Sequence, residues 1–548
     1  MQQDSPKLKT DFVVLTLLWA GAVLLANPAG NFPLNDDWSF ALTTERLFET
    51  GNYHPTGWTT PLLITHVLWG SLFCLTSGVS HEALRFSSIV AGLLGGMLSY
   101  YLTWMATKSR LVSFLVALVV LFNPLYFALS STFMTDVSFT AMLYLAAVFY
   151  VMYFNNPKVS TLVLATVFTI VSVLNRQVGL CIPLGFALTY VFHNRPGRQK
   201  YWIAFGPLAV SVGAMFLFQE WLLRTGRMPW TYEGRESGLL TAIIHPDFPA
   251  LFKNFCGIVL YYGWFFSPLA WILAVGTFRA KGGEGGWKAM SPYLWVFLGL
   301  LVCLGINKGQ LLPYSLNILE SHGIGPVVIS NPAIPPLPKL VWALFTGIGL
   351  LGGSFILVTI AKFLWKLPKL LLARKLGGKE ALAWFFLLTG TISIGPFFLI
   401  GFFDRYLIVP MAFFGAFLIL ATDGSARLQA TWDKSHWYGA APALLATALF
   451  SILLVQDYFT WNRNRWEMLM DLVNKEKVDP NTVNGGFEFN GYHRYTEEAT
   501  GIWWSSPSDT YVLSFGAVEG YGSYKTRDVG FLFPPRQVPM YLLKKLEE

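Results

Sequence analysis

The chain consists largely of apolar stretches separated by polar connections. A helix of about 20 apolar residues crosses the hydrocarbon core of a bilayer, which is about 30 Å thick. A helix also satisfies its backbone N–H and C=O groups internally, whereas lipid offers them no hydrogen-bond partners. We therefore predict about thirteen transmembrane helices. Their predicted ranges are 12–29, 83–106, 111–129, 133–153, 158–175, 177–193, 201–221, 254–277, 290–306, 338–360, 381–402, 405–421 and 438–456.

The composition excludes an ordinary water-soluble fold. Hydrophobic residues make up 54% of the 548 residues and charged residues 13%, whereas a soluble domain has about 25% charged residues. A soluble protein of this composition would expose a large apolar surface to water, but in a membrane lipid solvates that surface. The predicted fold class is therefore a membrane all-α protein.

The basic residues predict the orientation of the spans. The formal net charge is +8, but the lysines and arginines lie between apolar spans, so nucleic-acid binding is not predicted. They concentrate in alternate connections, which face the cytoplasm by the positive-inside rule. Lys7 and Lys9 precede the first apolar run, which lacks a signal-peptide cleavage site. We predict a multi-pass protein of a bacterial inner membrane with a cytoplasmic N-terminus. The basic connections are 108–110, 158, 195–200, 279–288, 362–379 and 427–434.

Three outer loops are long: 30–82, 222–253 and 307–337. The first of them predicts two short interfacial helices, at 36–50 and 58–76, with tryptophan at the membrane boundary.

The chain changes character after residue 456. We divide it into a transmembrane domain, 1–456, and a small extracytoplasmic α/β domain, 457–548. In the second domain, a helix is predicted at 461–476 and strands at 510–515 and 539–544.

Acidic residues at the outer mouths of the spans are the first candidates for chemistry, because charges at this depth are costly and usually functional. Asp36 and Asp37 follow the first span, and Asp136 begins the fourth. A carboxylate there can act as a general base or a metal ligand. The structural alternatives remain open: Asn35 or Asp36 can cap the helix that starts near Trp38, and Asp136 can be a first-turn acid.

Two arginines depart from the positive-inside trend. Arg176 lies in the outer turn between spans five and six, and Arg405 at the outer start of span twelve. A guanidinium suits a phosphate clamp, but these side chains can also snorkel to lipid headgroups or pair with an acid such as Asp404. Further candidate substrate contacts are His54, Glu320, His322 and Tyr406. The four cysteines match no metal or redox motif.

Four segments carry a resemblance to a known family. They are LNDDWSFALTTERLFETGNYHPTGW in the first outer loop, STFMTDVSF, LNRQVGL and FFDRYLIVP. Together with the apolar first helix, they resemble the GT-C superfamily of membrane glycosyltransferases. The resemblance is greatest to the glycosyltransferase 39-like group, which includes protein O-mannosyltransferases and the lipid A aminoarabinose transferase, and in layout it extends over residues 11–456.

The resemblance implies a GT-C-like arrangement and a polyprenyl-phospho-monosaccharide donor used at the outer, periplasmic face. It places Asp36 or Asp37 at the reaction centre and Asp136 as a second acid. It implies that Arg176 and Arg405 bind the donor phosphate. The chain has Asp-Asp where protein mannosyltransferases tend to have Asp-Glu, and it lacks their folded outer insertion. The acceptor, whether lipid, glycan or protein, is therefore left open.

Transfer from a lipid phosphate requires a base for the acceptor and charge neutralisation for the leaving phosphate. We expect a single displacement with inversion and a lipid tail held in a groove between spans. Adjacent Asp residues suit a divalent cation but supply too few ligands alone, so a metal requirement is left open. The alternatives are a transporter or flippase of lipid-linked sugars, another lipid-linked glycan enzyme, and a non-catalytic scaffold.

Overall fold

A computed structural model describes residues 5–193, 198–232, 241–279, 286–372, 377–423, 434–497 and 509–546. Within these ranges the chain is mainly helical, with a small sheet near the C-terminus. The α-helices with both ends described are α1 Ser5–Ala26, α2 Asp37–Thr50, α3 Ile64–Cys74, α4 His81–Thr107, α5 Arg110–Leu121, α6 Pro124–Ser130, α7 Thr135–Asn155, α8 Val159–Val173, α9 Cys181–His193, α10 Arg198–Arg224, α11 Phe248–Phe265, α12 Ser267–Arg279, α13 Gly286–Ile306, α14 Lys339–Leu372, α15 Gly378–Ile400, α16 Met411–Ala421, α17 Trp437–Asn474 and α18 Phe487–Arg494. The strands are β1 Leu319–Glu320, β2 Gly323–Ile324, β3 Val483–Asn484, β4 Tyr511–Ser514, β5 Tyr521–Leu532 and β6 Pro535–Lys545.

The helices confirm an integral membrane protein. Seven helices in the described ranges are long and apolar enough to cross a membrane, and the number rises to nine if each of two bent pairs is one span. Shorter apolar helices occupy the remaining predicted segments, for example α8 and α16. The count of thirteen spans therefore stays a prediction.

One predicted span is broken in a way that shapes the outer surface. The segment predicted as a helix over 111–129 consists of α5 and α6, which meet at an angle of 63°. Asn123 starts α6: its side-chain oxygen accepts hydrogen bonds from the backbone N–H groups of Leu125 and Tyr126, at 3.0 and 3.1 Å. Pro124 occupies the first turn, where its missing N–H costs nothing. The chain therefore turns early and delivers residues 131–134 to the side of the molecule where Asp37 lies.

The first outer loop contains the two predicted short helices, α2 and α3. Arg85 of α4 fixes the segment that leads into α2. Its side chain is buried and donates to the carbonyl oxygens of Pro28, Gly30 and Phe32. Asn35 then adopts a left-handed conformation, with φ of 56°, directly before Asp36. Helix α4 therefore holds the segment that leads into α2.

Helices α11 and α14 cross through glycines, so their backbones approach closely. A Cβ atom on Gly263 would overlap the carbonyl oxygen of Gly349, and one on Gly352 would overlap that of Gly263. Small residues at such crossings are the usual means by which membrane helices associate.

We expect Gly263→Ala to lower the thermal stability of the purified protein, because the two backbones must separate to admit the methyl group. Overpacking of this kind costs about 1–3 kcal/mol. Gly347→Ala on α14 is the matched control, since a Cβ there meets no atom within 4 Å. Equal unfolding temperatures for the two variants would contradict the close crossing.

The C-terminal region confirms the predicted strands. β4 and β6 occupy the two predicted positions in a four-stranded sheet of order β3-β4-β6-β5. The predicted helix at 461–476 is the end of α17, which continues from the membrane without a break. Asp457 of α17 accepts hydrogen bonds from the backbone N–H groups of Leu532 and Phe533, at 2.6 and 3.0 Å. The division into two domains at residue 456 stays a prediction.

Candidate active site

Asp36 lies at the start of α2 with its side chain a quarter exposed. One carboxylate oxygen accepts a hydrogen bond of 3.1 Å from the indole N–H of Trp58. The other lies 3.6 Å from a guanidinium nitrogen of Arg405. Asp36 stands at the N-cap position but makes no side-chain capping bond to α2, so the capping interpretation is wrong for Asp36. This carboxylate faces a cation and is reachable from outside.

Asp136 and Arg176 form an ion pair beside Asp36 and Arg405. Asp136 is fully buried in the first turn of α7, and one of its oxygens accepts a hydrogen bond from the guanidinium of Arg176. The two guanidinium groups share one aromatic ring: their central carbons lie 5.7 Å (Arg176) and 5.5 Å (Arg405) from the ring centroid of Tyr406. We call these five residues, Asp36, Asp136, Arg176, Arg405 and Tyr406, the outer cluster. Four segments that are distant in sequence converge here.

Arg405 of the outer cluster has a hydrogen-bond donor in reserve. The Nε atom of Arg405 has no hydrogen-bond partner within the described residues, and its contact to Asp36 is longer than a hydrogen bond. Its side chain is 13% exposed. A guanidinium carries five N–H donors in a planar fork that matches a phosphate. Arg405 can therefore offer a donor to an anion in addition to its contacts with Asp36 and Tyr406.

Asp37 has a different environment from Asp36. It is 1% exposed, and both of its oxygens accept backbone hydrogen bonds: one from Leu34 at 2.5 Å and one from Phe133 at 3.2 Å. Burial raises its pKa from 3.8 to about 7, opposed by the charge of Arg85 and by these hydrogen bonds. Asp37 joins the start of α2 to the turn before α7. This geometry does not favour the catalytic role predicted for Asp37 as an alternative to Asp36.

His66 holds the same turn from the opposite side, a contact that the sequence did not predict. It is buried on α3, with Nε2 3.1 Å from the carbonyl oxygen of Phe133 and Nδ1 2.7 Å from the hydroxyl of Ser138. Asn175, next to Arg176, donates to the same hydroxyl at 3.2 Å. The turn before α7, which leads to Asp136, is therefore held by Asp37 at the N–H of Phe133 and by His66 at its carbonyl oxygen.

The sequence allowed an ion pair between Asp404 and Arg405, but the structure gives the Asp404 carboxylate other partners. This carboxylate is buried and accepts backbone hydrogen bonds from Ile318 and Leu319, at distances from 2.6 to 3.1 Å. Asp404 therefore anchors the third outer loop, which contains β1 and β2, next to Arg405.

The remaining predicted contacts lie apart from these ion pairs. Glu320 is partly buried on β1, and burial raises its pKa. His322 bonds to the carbonyl oxygen of Gly325 at 3.0 Å, and His54 lies half-buried between α2 and α3. No hydrogen bond or ion pair within the described ranges joins these three residues to the outer cluster, so their roles stay predictions.

The C-terminal region also contacts the first outer loop. Glu488 of α18 accepts a hydrogen bond of 3.1 Å from the backbone N–H of Asn35. Its second oxygen lies 2.9 Å from Arg465 of α17, and both side chains are almost fully buried. Farther along, Glu497 pairs with Arg46 of α2 at 2.6 Å. The loop that carries Asp36 is thus held by residues more than 400 positions later.

The residues do not fit a divalent cation. No group of three or more His, Cys, Asp or Glu side chains in the described part of the chain could hold a metal ion. Both oxygens of Asp37 are engaged by backbone N–H groups, and Asp36 already faces Arg405. We therefore derive no step through a metal.

An apolar cavity of about 440 Å³ lies between α1, α3, α4 and α7. Its walls include Phe12, Trp69, Met97, Tyr101 and Met142, and Ser138 contributes to its lining. Ser138 is two residues from Asp136 and is bonded to His66. The cavity therefore runs from the membrane helices toward the Asp136 turn.

Comparison with known proteins supports the resemblance seen in the sequence. Residues 65–220 match the family PMT, dolichyl-phosphate-mannose-protein mannosyltransferase. The match confirms the predicted likeness to GT-C membrane glycosyltransferases, and it contains Asp136 and Arg176 but neither Asp36 nor Arg405. No curated protein sequence matches the chain significantly.

Two solved structures of ArnT from Cupriavidus metallidurans are also similar to the chain. The form bound to undecaprenyl phosphate is 12% identical, with a TM-score of 0.33, and the match covers 98% of each chain. The apo form is 14% identical, with a TM-score of 0.35, over 96% of this chain and 97% of that one. The roles proposed below rest on the contacts of this chain itself.

Proposed function

We propose that this protein transfers a monosaccharide from a polyprenyl-phosphate-linked donor to an acceptor at the outer face of the membrane. The observation that carries the proposal is the outer cluster. It brings a reachable carboxylate, Asp36, within 3.6 Å of Arg405 and places a second guanidinium, Arg176, over the same tyrosine ring. A transferase of this kind needs both elements, a base and a phosphate cradle, within one sugar ring of each other.

The reaction is a single displacement. The acceptor oxygen or nitrogen attacks the anomeric carbon, and its proton passes to the Asp36 carboxylate. The bond between the anomeric carbon and the phosphate oxygen breaks, and the electron pair leaves with the polyprenyl phosphate. The transition state is oxocarbenium-like, as in glycoside hydrolysis, and attack from the opposite face inverts the configuration.

The arginines stabilise the charge that develops on the leaving phosphate. Arg405 contributes its unpartnered Nε and the edge of its guanidinium, and charge-assisted N–H···O bonds to phosphate are among the strongest in proteins. Asp136 holds Arg176 in place through their ion pair. Asp37 is a positioning residue, since it ties the start of α2 to the turn that carries Asp136.

The apolar cavity beside α7 suits one section of a polyprenyl chain. Its walls are almost wholly hydrocarbon and aromatic, and its lining includes Ser138, two residues from Asp136 of the outer cluster. A lipid tail there would place its phosphate at the outer mouth of the spans, where the arginines lie.

Variants of Glu488 test whether the C-terminal region positions the base, Asp36. Glu488→Gln and Glu488→Ala both remove the ion pair with buried Arg465, so both should lower stability, and the alanine variant should lower it more because it also opens a cavity. Only the alanine variant also removes the acceptor for the backbone N–H of Asn35. We expect the kcat of the alanine variant to be about tenfold lower than that of the glutamine variant, with little change in KM. Loss of the bond to Asn35 would shift the neighbouring Asp36, and a small displacement of a reacting group is costly. Equal kcat values for both folded variants would reduce Glu488 to a structural role.

The proposal is tested by the lipids of a strain from which the gene has been deleted. We expect a polyprenyl-phospho-monosaccharide to accumulate and to disappear when the intact gene is restored. An unchanged lipid pool would contradict the proposal, and sugar-lipid flux in proteoliposomes containing the purified protein would support the flippase alternative instead.

A further inference from the structure

The carboxylate of Asp36 accepts a single hydrogen bond within the described part of the chain. The indole N–H of Trp58 donates it to Oδ1 at 3.1 Å. The distance from Oδ2 to a guanidinium nitrogen of Arg405 is 3.6 Å, which is longer than a hydrogen bond. The terminal torsion of an aspartate side chain is broad, so a partly exposed carboxylate turns easily unless a donor fixes it. Trp58 is therefore the group that sets the plane of the Asp36 carboxylate.

The ring of Trp58 is held by two aromatic neighbours. Its centroid lies 6.0 Å from that of Trp230, in an edge-to-face arrangement, and 5.9 Å from that of Phe487. Aromatic pairs are favourable at such distances and angles. Trp230 belongs to the second outer loop and Phe487 to α18, so two distant parts of the chain orient the indole toward Asp36.

The backbone on both sides of Trp58 is held by the same two parts of the chain. The N–H of Gly57 donates to a carboxylate oxygen of Glu497 at 3.1 Å, and the carbonyl oxygen of Gly57 accepts from the N–H of Thr231 at 3.2 Å. The hydroxyl of Thr231 donates to the carbonyl oxygen of Thr59 at 3.0 Å. The direction of the indole N–H is therefore determined by tertiary contacts on either side of it.

The second outer loop also reaches the arginine side of the outer cluster. The hydroxyl of Tyr232 accepts hydrogen bonds from the side-chain amides of Gln177 and Gln219, the latter at 3.2 Å. Gln177 directly follows Arg176 in the chain. Residues 230–232 therefore contact Trp58 at one end and the turn that carries Arg176 at the other.

We propose that Trp58 is a positioning residue for sugar transfer, acting through its indole N–H on the base Asp36. The inference rests on the proposed function, in which Asp36 takes the proton of the acceptor. Proton transfer requires the base within about 2.6–3.2 Å of the group that loses the proton. With Oδ1 fixed by Trp58, the exposed edge of the carboxylate keeps one orientation toward the acceptor, and Oδ2 stays next to Arg405.

The test replaces the indole N–H by a sulfur atom. Incorporation of β-(3-benzothienyl)alanine in place of Trp58 keeps both rings, and hence the contacts with Trp230 and Phe487, but removes the donor. Transfer is measured with a synthetic polyprenyl-phospho-monosaccharide and a membrane extract that supplies the acceptor. We expect kcat to fall about tenfold while KM for the donor changes less than about twofold, because only the orientation of the base is lost. The unfolding temperature should change little, and Trp58→Phe should lower kcat at least as much.

The matched control is the same sulfur analogue in place of Trp19. The indole of Trp19 donates to the carbonyl oxygen of Ile89 at 3.2 Å, between α1 and α4. The analogue therefore removes a comparable hydrogen bond between two membrane helices, and kcat should stay at the wild-type value.

Three results would overturn the inference while the wild type transfers sugar. They are an unchanged kcat with the analogue in place of Trp58; a raised KM at unchanged kcat, which would make Trp58 a substrate contact; and an equal fall in kcat with the analogue in place of Trp19, which would reduce the effect to a general loss of stability. A wild-type protein that transfers no sugar in this assay would contradict the proposed function, and this inference with it, so the two failures are distinguishable.

Discussion

Asp36→Asn is expected to abolish sugar transfer while the protein still folds and inserts. The amide keeps an oxygen that can accept the indole N–H of Trp58, so the first loop retains its shape. It cannot take a proton from the acceptor, and loss of a general base typically costs about 10²–10⁴-fold in rate. The measurement is transfer of a radiolabelled sugar from a polyprenyl-phospho-monosaccharide to a membrane extract that supplies the acceptor.

The neighbouring carboxylate provides the internal comparison. Asp37→Asn disturbs the hydrogen bonds to Leu34 and Phe133, so we expect lower stability and a smaller loss of rate than for Asp36→Asn. A normal rate for Asp36→Asn would show that Asp36 is not the base. A larger rate loss for Asp37→Asn in a fully folded protein would show the same.

Arg405→Gln is expected to have the second largest effect. Removal of one preorganised donor to a developing anion typically lowers kcat about 10²–10³-fold. Arg405→Lys should recover only part of this loss, because a lysine keeps the charge but not the planar fork. Rates should be measured against donor concentration, so that donor binding and turnover are separated.

The control for this variant is Arg224→Gln. Arg224 is a highly exposed arginine at the outer end of α10, paired with Glu220, and its loss should leave the rate unchanged. Arg405 is a better test than Arg176, whose removal would leave the buried Asp136 without its partner and would destabilise the fold. Equal donor dependence in Arg405→Gln and wild type would show that Arg405 only anchors the protein at the headgroup layer.

The sequence predicted the helices, the two short helices of the first loop and the strands β4 and β6, because each follows from a local pattern of apolar and polar residues. It also predicted the residues that form the outer cluster, since charges are rare on this side of the membrane. It could not choose between Asp36 and Asp37. Adjacent residues in one helical turn share every local signal, and only the tertiary contacts to Phe133 and Arg405 separate them.

Other features depend on contacts between distant segments. The bond between Asn35 and Glu488 joins positions 453 residues apart, and no local pattern in a single sequence announces it. Asp404 was a candidate ion-pair partner for the adjacent Arg405, but its carboxylate accepts hydrogen bonds from backbone N–H groups of the third outer loop. The bend before α6 was missed although the pair Asn123-Pro124 marks a turn, because the apolar residues on both sides are typical of one continuous span.

The most direct test of the central claim follows the phosphorus of the donor. A synthetic polyprenyl-phospho-monosaccharide is incubated with the wild-type protein in nanodiscs and with acceptor extract, and ³¹P NMR distinguishes the phosphodiester of the donor from the phosphomonoester of the product. The account requires the diester signal to convert to a monoester with wild type, and to persist with Asp36→Asn and with Arg405→Gln. A diester that wild type leaves intact, or that both variants cleave at the wild-type rate, would contradict the assignment of the outer cluster as the reaction centre.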